Sequence, residues 1–138
     1  MTATAASSAI TCRPGLLAEL RDLAQRAAPL ECCGLLLGHG THVATAQPAA
    51  NVAADPARHF ELDPQALIDA HRQARADGPQ VLGYYHSHPG GLARPSPTDQ
   101  AQAAGDGMVW AIIGSGDVTF WRDDRAGFTE LPIAPGGS

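Results

Sequence analysis

Lysine is absent from this chain of 138 residues, and its nine basic residues are all arginine. They are scattered, and 14 acidic residues leave a net charge of −5 and an isoelectric point near 5.5. That balance excludes the basic face expected of a nucleic-acid partner. Arginine-only usage fits the coding bias of a GC-rich bacterial genome. Cysteine is scarce too. Cys12, Cys32 and Cys33 are odd in number and two are adjacent, so they make no disulfide framework and suit a reducing, cytoplasmic setting. The H-x-E and P-C-x-x-C zinc signature of base deaminases is missing. No apolar run is long enough to span a membrane. Residues 1–11 lack a basic start and an apolar stretch, and read as a frayed tail rather than a secretory signal.

What is present describes one globular domain. Apolar content of 44% and charged content of 17% are ordinary, and the length suffices for one core. Leu16, Leu17, Leu20, Leu23, Ala24 and Ala27 recur at helical spacing, giving a helix over about 14–28 that Pro29 stops. Cys33 to Gly38 is a continuous apolar run, read as a central strand, and Gly38-His39-Gly40 turns it into a second strand over 41–47. His39 and His42 flank that turn as solvated residues. Asp63-Pro64 opens a helix to about Ala76, with Leu67, Ile68 and His71 along its inner side. Residues 80–88 form a strand, 96–105 a short helix, 109–113 and 118–122 a hairpin, and 128–133 a possible last strand. The expected fold is α/β, a mixed β-sheet flanked by helices, in a single domain over 1–138 with loose tails at 1–12 and 134–138.

The densest chemistry lies in H-S-H-P-G-G-L-A-R-P-S-P-T-D, from His86 to Asp99. Residues two apart on a strand share a face, so His86 and His88 can aim both imidazoles at one point. Ser87 between them points the other way and is structural. A third ligand from the next element closes a three-ligand zinc site with one open position, the pattern of catalytic zinc. Ser96-Pro97-Thr98-Asp99 also reads as a capping box. Asp99 is therefore a cap, a ligand or both, since a capped helix start is a rigid mount. Glu31 precedes the apolar strand, and by itself reads as a solvated junction residue. Cys32 and Cys33 read as small buried strand residues rather than as thiol nucleophiles.

His86-Ser87-His88, seven residues, Ser96, two residues and Asp99, with Glu31-Cys32-Cys33-Gly34 upstream, resemble the signature of the JAMM (MPN-plus) metallopeptidases. The likeness spans nearly the whole chain and is similar to the minimal stand-alone bacterial branch. It implies a JAMM/MPN-like fold and a metalloprotease or isopeptidase, with one zinc per chain held by His86, His88 and Asp99. It implies Glu31 as general base for a zinc-activated water and Ser96 as an oxyanion donor. Asn51 and Phe60 fall where related bacterial members also carry Asn and an aromatic residue.

The family's substrates are the C-termini of ubiquitin or ubiquitin-like proteins. Only nine residues separate Asp99 from Val109, too few for a large gripping insertion. The implied partner is a ubiquitin-like or sulfur-carrier protein with a Gly-Gly tail. An extended tail fed past the His86–His88 strand, beneath a mobile Gly90-Gly91 flap, can add to a strand edge by backbone hydrogen bonds. Arg94 in that loop is either solvated or meets a substrate carboxylate or carbonyl. A lack of lysine would also keep a lysine isopeptidase from becoming a target. The competing reading is a non-catalytic zinc-binding scaffold or regulatory domain.

Overall fold

The computed structural model describes residues 9–134. Strand β1 (Thr11–Cys12) leads into helix α1 (Leu16–Ala27), the hairpin β2 (Cys33–His39) and β3 (His42–Ala49), and helix α2 (Pro64–Arg75). Then come β4 (Gln80–Ser87), the short helix α3 (Pro97–Gln102), β5 (Val109–Gly114), β6 (Asp117–Asp124) and β7 (Gly127–Leu131). One seven-stranded sheet runs in the order β1-β3-β2-β4-β5-β6-β7. It is mixed: β1 with β3 and β4 with β5 are parallel, and the other pairs are antiparallel.

The main core lies between the sheet and α1. Leu16 and Leu20 of α1 are fully buried with Leu36, Tyr85, Ala111 and Phe120. Burying a leucine contributes about 2 kcal/mol, so these two contacts alone fix the helix to the sheet. On the opposite face Leu35, Leu37 and Ala70 form a smaller cluster with Leu67 and Tyr84 under α2. Burial on both faces explains why β2 reads as an unbroken apolar run. A Cβ at Gly34 would collide with the Tyr85 ring and the Gln47 carbonyl, so only glycine lets these strands close up.

Three expectations need correction. The segment 1–12 is not loose at its end, and neither is residue 134. Ile10 is fully buried. Its N–H donates to the Pro132 carbonyl at 2.9 Å, and its carbonyl accepts from Ala134 at 2.8 Å. Ile10 thereby links the β1 edge of the sheet to the chain beyond β7, and the curled sheet closes on itself. The remaining tail residues lie outside the described ones. In α2 the inner stripe runs through Leu67 and Ala70, while Ile68 is 49% exposed and His71 is exposed. The helix is rotated because its packing partners, Leu35 and Leu37, reach only that narrower face. Helix α3 ends at Gln102, short of Gly105.

Candidate metal centre

Strand β4 ends at Ser87, one residue before His88. His86 points into the α2 side of the sheet and is fully buried. Ser87 faces the other way, and its Oγ accepts from the Cys32 N–H at 2.9 Å, so it stitches β4 to the start of β2. His88 N–H donates to the Ile113 carbonyl at 2.8 Å, which extends the ladder to β5 by one residue. Both histidines are therefore mounted on the middle of the sheet.

Asp99 arrives on α3 and does two jobs. Ser96 Oγ accepts from the Asp99 N–H at 3.0 Å, and Asp99 Oδ2 accepts from the Ser96 N–H at 2.9 Å, a complete capping box. The same carboxylate places Oδ1 3.1 Å from His86 Nε2 and Oδ2 3.1 Å from His88 Nε2. The two Nε2 atoms lie 3.0 Å apart. The three side chains thus form a triangle, with contacting donor atoms 3.0–3.1 Å apart and the carboxylate facing each histidine with a different oxygen. Zinc bonds of 2.0–2.1 Å in a tetrahedron require ligand separations of about 3.3 Å.

Proton bookkeeping points the same way. His88 Nδ1 lies 2.9 Å from the Leu92 carbonyl. A carbonyl only accepts, so Nδ1 carries the proton and a neutral His88 turns a bare Nε2 lone pair toward a carboxylate. Two acceptors at that distance need a cation or a proton between them. Without a metal a proton serves. Burial pulls the His88 imidazole down, but the hydrogen bonds to Asp99 and Leu92 and the charges of Asp99 and Glu31 outweigh it and raise its pKa. Burial would raise Asp99, yet hydrogen bonds from both histidines hold its carboxyl well below the ordinary range. His86 goes the other way: complete burial lowers it despite Asp99.

Glu31 sits beside this triangle, 8% exposed. Burial raises its carboxyl to about 7, with the Asp99 charge adding and the His88 charge opposing. Its backbone is fixed at both ends: its N–H donates to the Pro56 carbonyl at 2.8 Å and its carbonyl accepts from Asn51 at 3.0 Å. His39 and Arg94 are exposed, and exposed His42 meets only Thr11 Oγ1. Among the described residues, His86, His88 and Asp99 are the one group of three or more such side chains placed to hold a metal.

The whole chain can now be set beside known proteins. A family model described as prokaryotic homologs of the JAB domain matches residues 13–124. The chain belongs to this family. A desampylase of Haloferax volcanii is 35% identical over 97% of this chain and 99% of its own length. A probable TtuB-protein conjugate cleaving protease of Thermus thermophilus is 40% identical over 64% of this chain and 60% of its own. A Desulfitobacterium hafniense protein solved in solution superposes with a TM-score of 0.78 at 30% identity, covering 91% of both chains. A JAB1/MPN domain protein of Archaeoglobus fulgidus shares the fold, with a TM-score of 0.62 at 21% identity over 92% of this chain and 99% of that one. This JAB-family chain is a JAMM-type hydrolase, and the expected mixed-sheet JAMM/MPN architecture is what the fold displays.

The resemblance singled out Phe60, whereas Trp110 and Asp123 carry no sequence signal that places them at the centre. Phe60 stacks on His86 with ring centroids 4.3 Å apart, and Trp110 meets both rings edge-on. Asp123, 1% exposed, accepts from the Ala104 and Gly105 N–H groups and ties down the far end of the α3 segment.

The expected flap is fastened. Ser115 Oγ donates to the Gly91 carbonyl at 2.9 Å, and Thr119 Oγ1 donates to the Ala93 carbonyl at 2.6 Å. With the Leu92 carbonyl held by His88, three successive carbonyls are engaged. β4 offers no free edge for an added strand, because it is central and pairs with β2 and β5. A groove of about 720 Å³ is lined by Phe60, Leu62, Leu67, Tyr84 and Trp110. Phe60 forms its wall and also stacks on His86, so one ring separates the groove from the candidate metal centre.

Proposed function

We propose that this chain is a zinc-dependent isopeptidase that cuts the amide bond at the C-terminal glycine of a small ubiquitin-like or sulfur-carrier protein. The convergence of His86, His88 and Asp99 beside buried Glu31 carries this reading. Zinc held by those three residues would supply Lewis acidity and bring the pKa of a water near 7.

This chain's own groups supply the rest. Glu31, with a carboxyl poised at about 7 by burial, takes the proton of the attacking water and returns it to the departing amine. Ser96 Oγ accepts from the Asp99 N–H and keeps its own proton. That proton is free to meet the oxyanion, so cap and donor are compatible. The groove beside Phe60 and Trp110 receives the extended tail, and glycines at its end leave the reacting carbonyl unobstructed. The substrate class is supported by the relatives, whose names describe removal of ubiquitin-like or TtuB conjugates.

The test is a panel of ubiquitin-like and sulfur-carrier proteins from the source organism, extended beyond their terminal glycine and followed by intact mass. Wild type should release the extension, and Glu31→Gln should keep zinc but lose about 100- to 10,000-fold in turnover. Failure on every carrier alongside efficient cutting of unrelated peptides would overturn the substrate. Undiminished turnover in Glu31→Gln would overturn the base.

A further inference from the structure

Asn51 lies outside the metal motif, yet its side chain touches both halves of the site. Nδ2 donates to the Glu31 carbonyl at 3.0 Å and to the His59 carbonyl at 3.0 Å, with a longer 3.4 Å approach to the Pro56 carbonyl. Oδ1 accepts from the Ala53 N–H and the Glu61 N–H, both at 3.1 Å. A primary amide offers two donors and two lone pairs, and here all are used. The arrangement also fixes which end is which, because only carbonyls face Nδ2 and only N–H groups face Oδ1.

The residues it grips are telling. His59 and Glu61 flank Phe60, so Asn51 pins the loop on both sides of the ring that stacks on His86. His86 Nδ1 is buried and has no hydrogen-bond partner. A ligand histidine is ordinarily oriented by a hydrogen bond to its other nitrogen. His86 lacks one, and the Phe60 face, at 19° to the imidazole plane, takes over that task. One amide therefore holds the backbone of Glu31 and, through Phe60, the orientation of His86.

We infer that Asn51 is a positioning residue that locks the general base and the buried metal ligand into one fixed relation. The inference rests on the catalytic role proposed for Glu31, and its two arms separate the two claims. Asn51→Asp is nearly isosteric. It keeps the acceptor for Ala53 and Glu61 but turns an oxygen toward the Glu31 and His59 carbonyls. With zinc saturating it should keep KM near wild type and lose about 100-fold in kcat, the cost of a small misplacement. Because part of the loss acts through Glu31, the Glu31→Gln/Asn51→Asp double variant should lose less than the product of the two single losses.

The second arm needs no turnover. Asn51→Ala frees the loop, so zinc affinity should fall roughly 10- to 100-fold. Phe60→Leu should do the same, and the two changes together should cost no more than Phe60→Leu alone. A wild-type kcat in Asn51→Asp, fully multiplicative losses with Glu31→Gln, or additive losses of zinc affinity would each overturn the inference. Absence of hydrolysis by wild type on every substrate would instead strike the proposed function, and the zinc cycle would still decide the role of Asn51.

Discussion

His88 Nδ1 donates to the carbonyl oxygen of Leu92 across 2.9 Å, so the loop that leaves β4 turns back to orient a histidine of the candidate metal centre. The contact fixes the tautomer that presents Nε2 to the metal position. It depends on Gly114, because the loop backbone rests on that residue. A Cβ there would lie 2.6 Å from the Leu92 carbonyl carbon and 2.7 Å from both Ala93 N and Gly91 O.

Gly114→Ala should push the loop off its seat and weaken zinc binding roughly 10- to 100-fold, as loss of an orienting partner does. Titration with a competing chelator measures this. Ser115→Ala, which removes only the bond to the Gly91 carbonyl, should cost much less. Equal zinc affinity in Gly114→Ala and wild type would show that the loop does not orient His88.

Asp99 can be separated into cap and ligand. Asp99→Asn retains an oxygen for the Ser96 N–H and should keep α3, but it removes the charge facing two histidines. Elemental analysis should find about one zinc per wild-type chain and little in the variant. Asp99→Ala should lose the metal and also about 1 kcal/mol of stability from the broken cap. Full zinc in Asp99→Asn would return the residue to capping alone.

The metal-free protein should show the raised Glu31 carboxyl in its stability. The folded-state pKa of about 7 lies above the ordinary glutamate value of 4.5. Stability from the neutral carboxyl is therefore complete below pH 4.5 and is lost as pH rises through 7. The penalty reaches about 3 kcal/mol at most. Relative to Glu31→Gln, chelator-treated wild type should lose stability between pH 5 and pH 8 in denaturant titrations. A pH-independent difference would show that the carboxyl is not desolvated.

Burial pushes the Cys33 thiol up to about 12 and the Cys12 thiol up to about 11, and it also raises Cys32. Thiolates are scarce at neutral pH in such surroundings. Alkylation of the native protein should be slow, and Cys32→Ala and Cys33→Ala should each keep turnover. Loss of turnover with unchanged zinc content in either variant would point to a thiol mechanism.

Local rules made much of the molecule legible. Leu16 and Leu20 announce α1 by spacing, Asp63-Pro64 announces α2, and the apolar run at Cys33–Gly38 announces a central strand. Each signal acts within a few residues. The stripe on α2 was misread through Ile68 and His71, because which side of a helix is inward depends on the strands beneath it. The loose reading of residues 10–12 failed for a related cause. Ile10 is ordered by Pro132 and Ala134, more than a hundred residues away, which no local pattern encodes.

By itself the sequence placed His-x-His on a strand and a capped aspartate eleven residues beyond, because strand alternation and helix capping are local geometry. Spacing left Asp99 open as cap or ligand, and the resemblance to the JAMM signature alone singled out Glu31. Only the tertiary structure decided how those donors meet. It brought the start of β2 against the end of β4, set Phe60 on His86, fastened the Gly90-Gly91 loop and buried β4 between two neighbours. These relations join residues far apart in the chain, and burial, stacking and desolvation exist only once packing has excluded water around them.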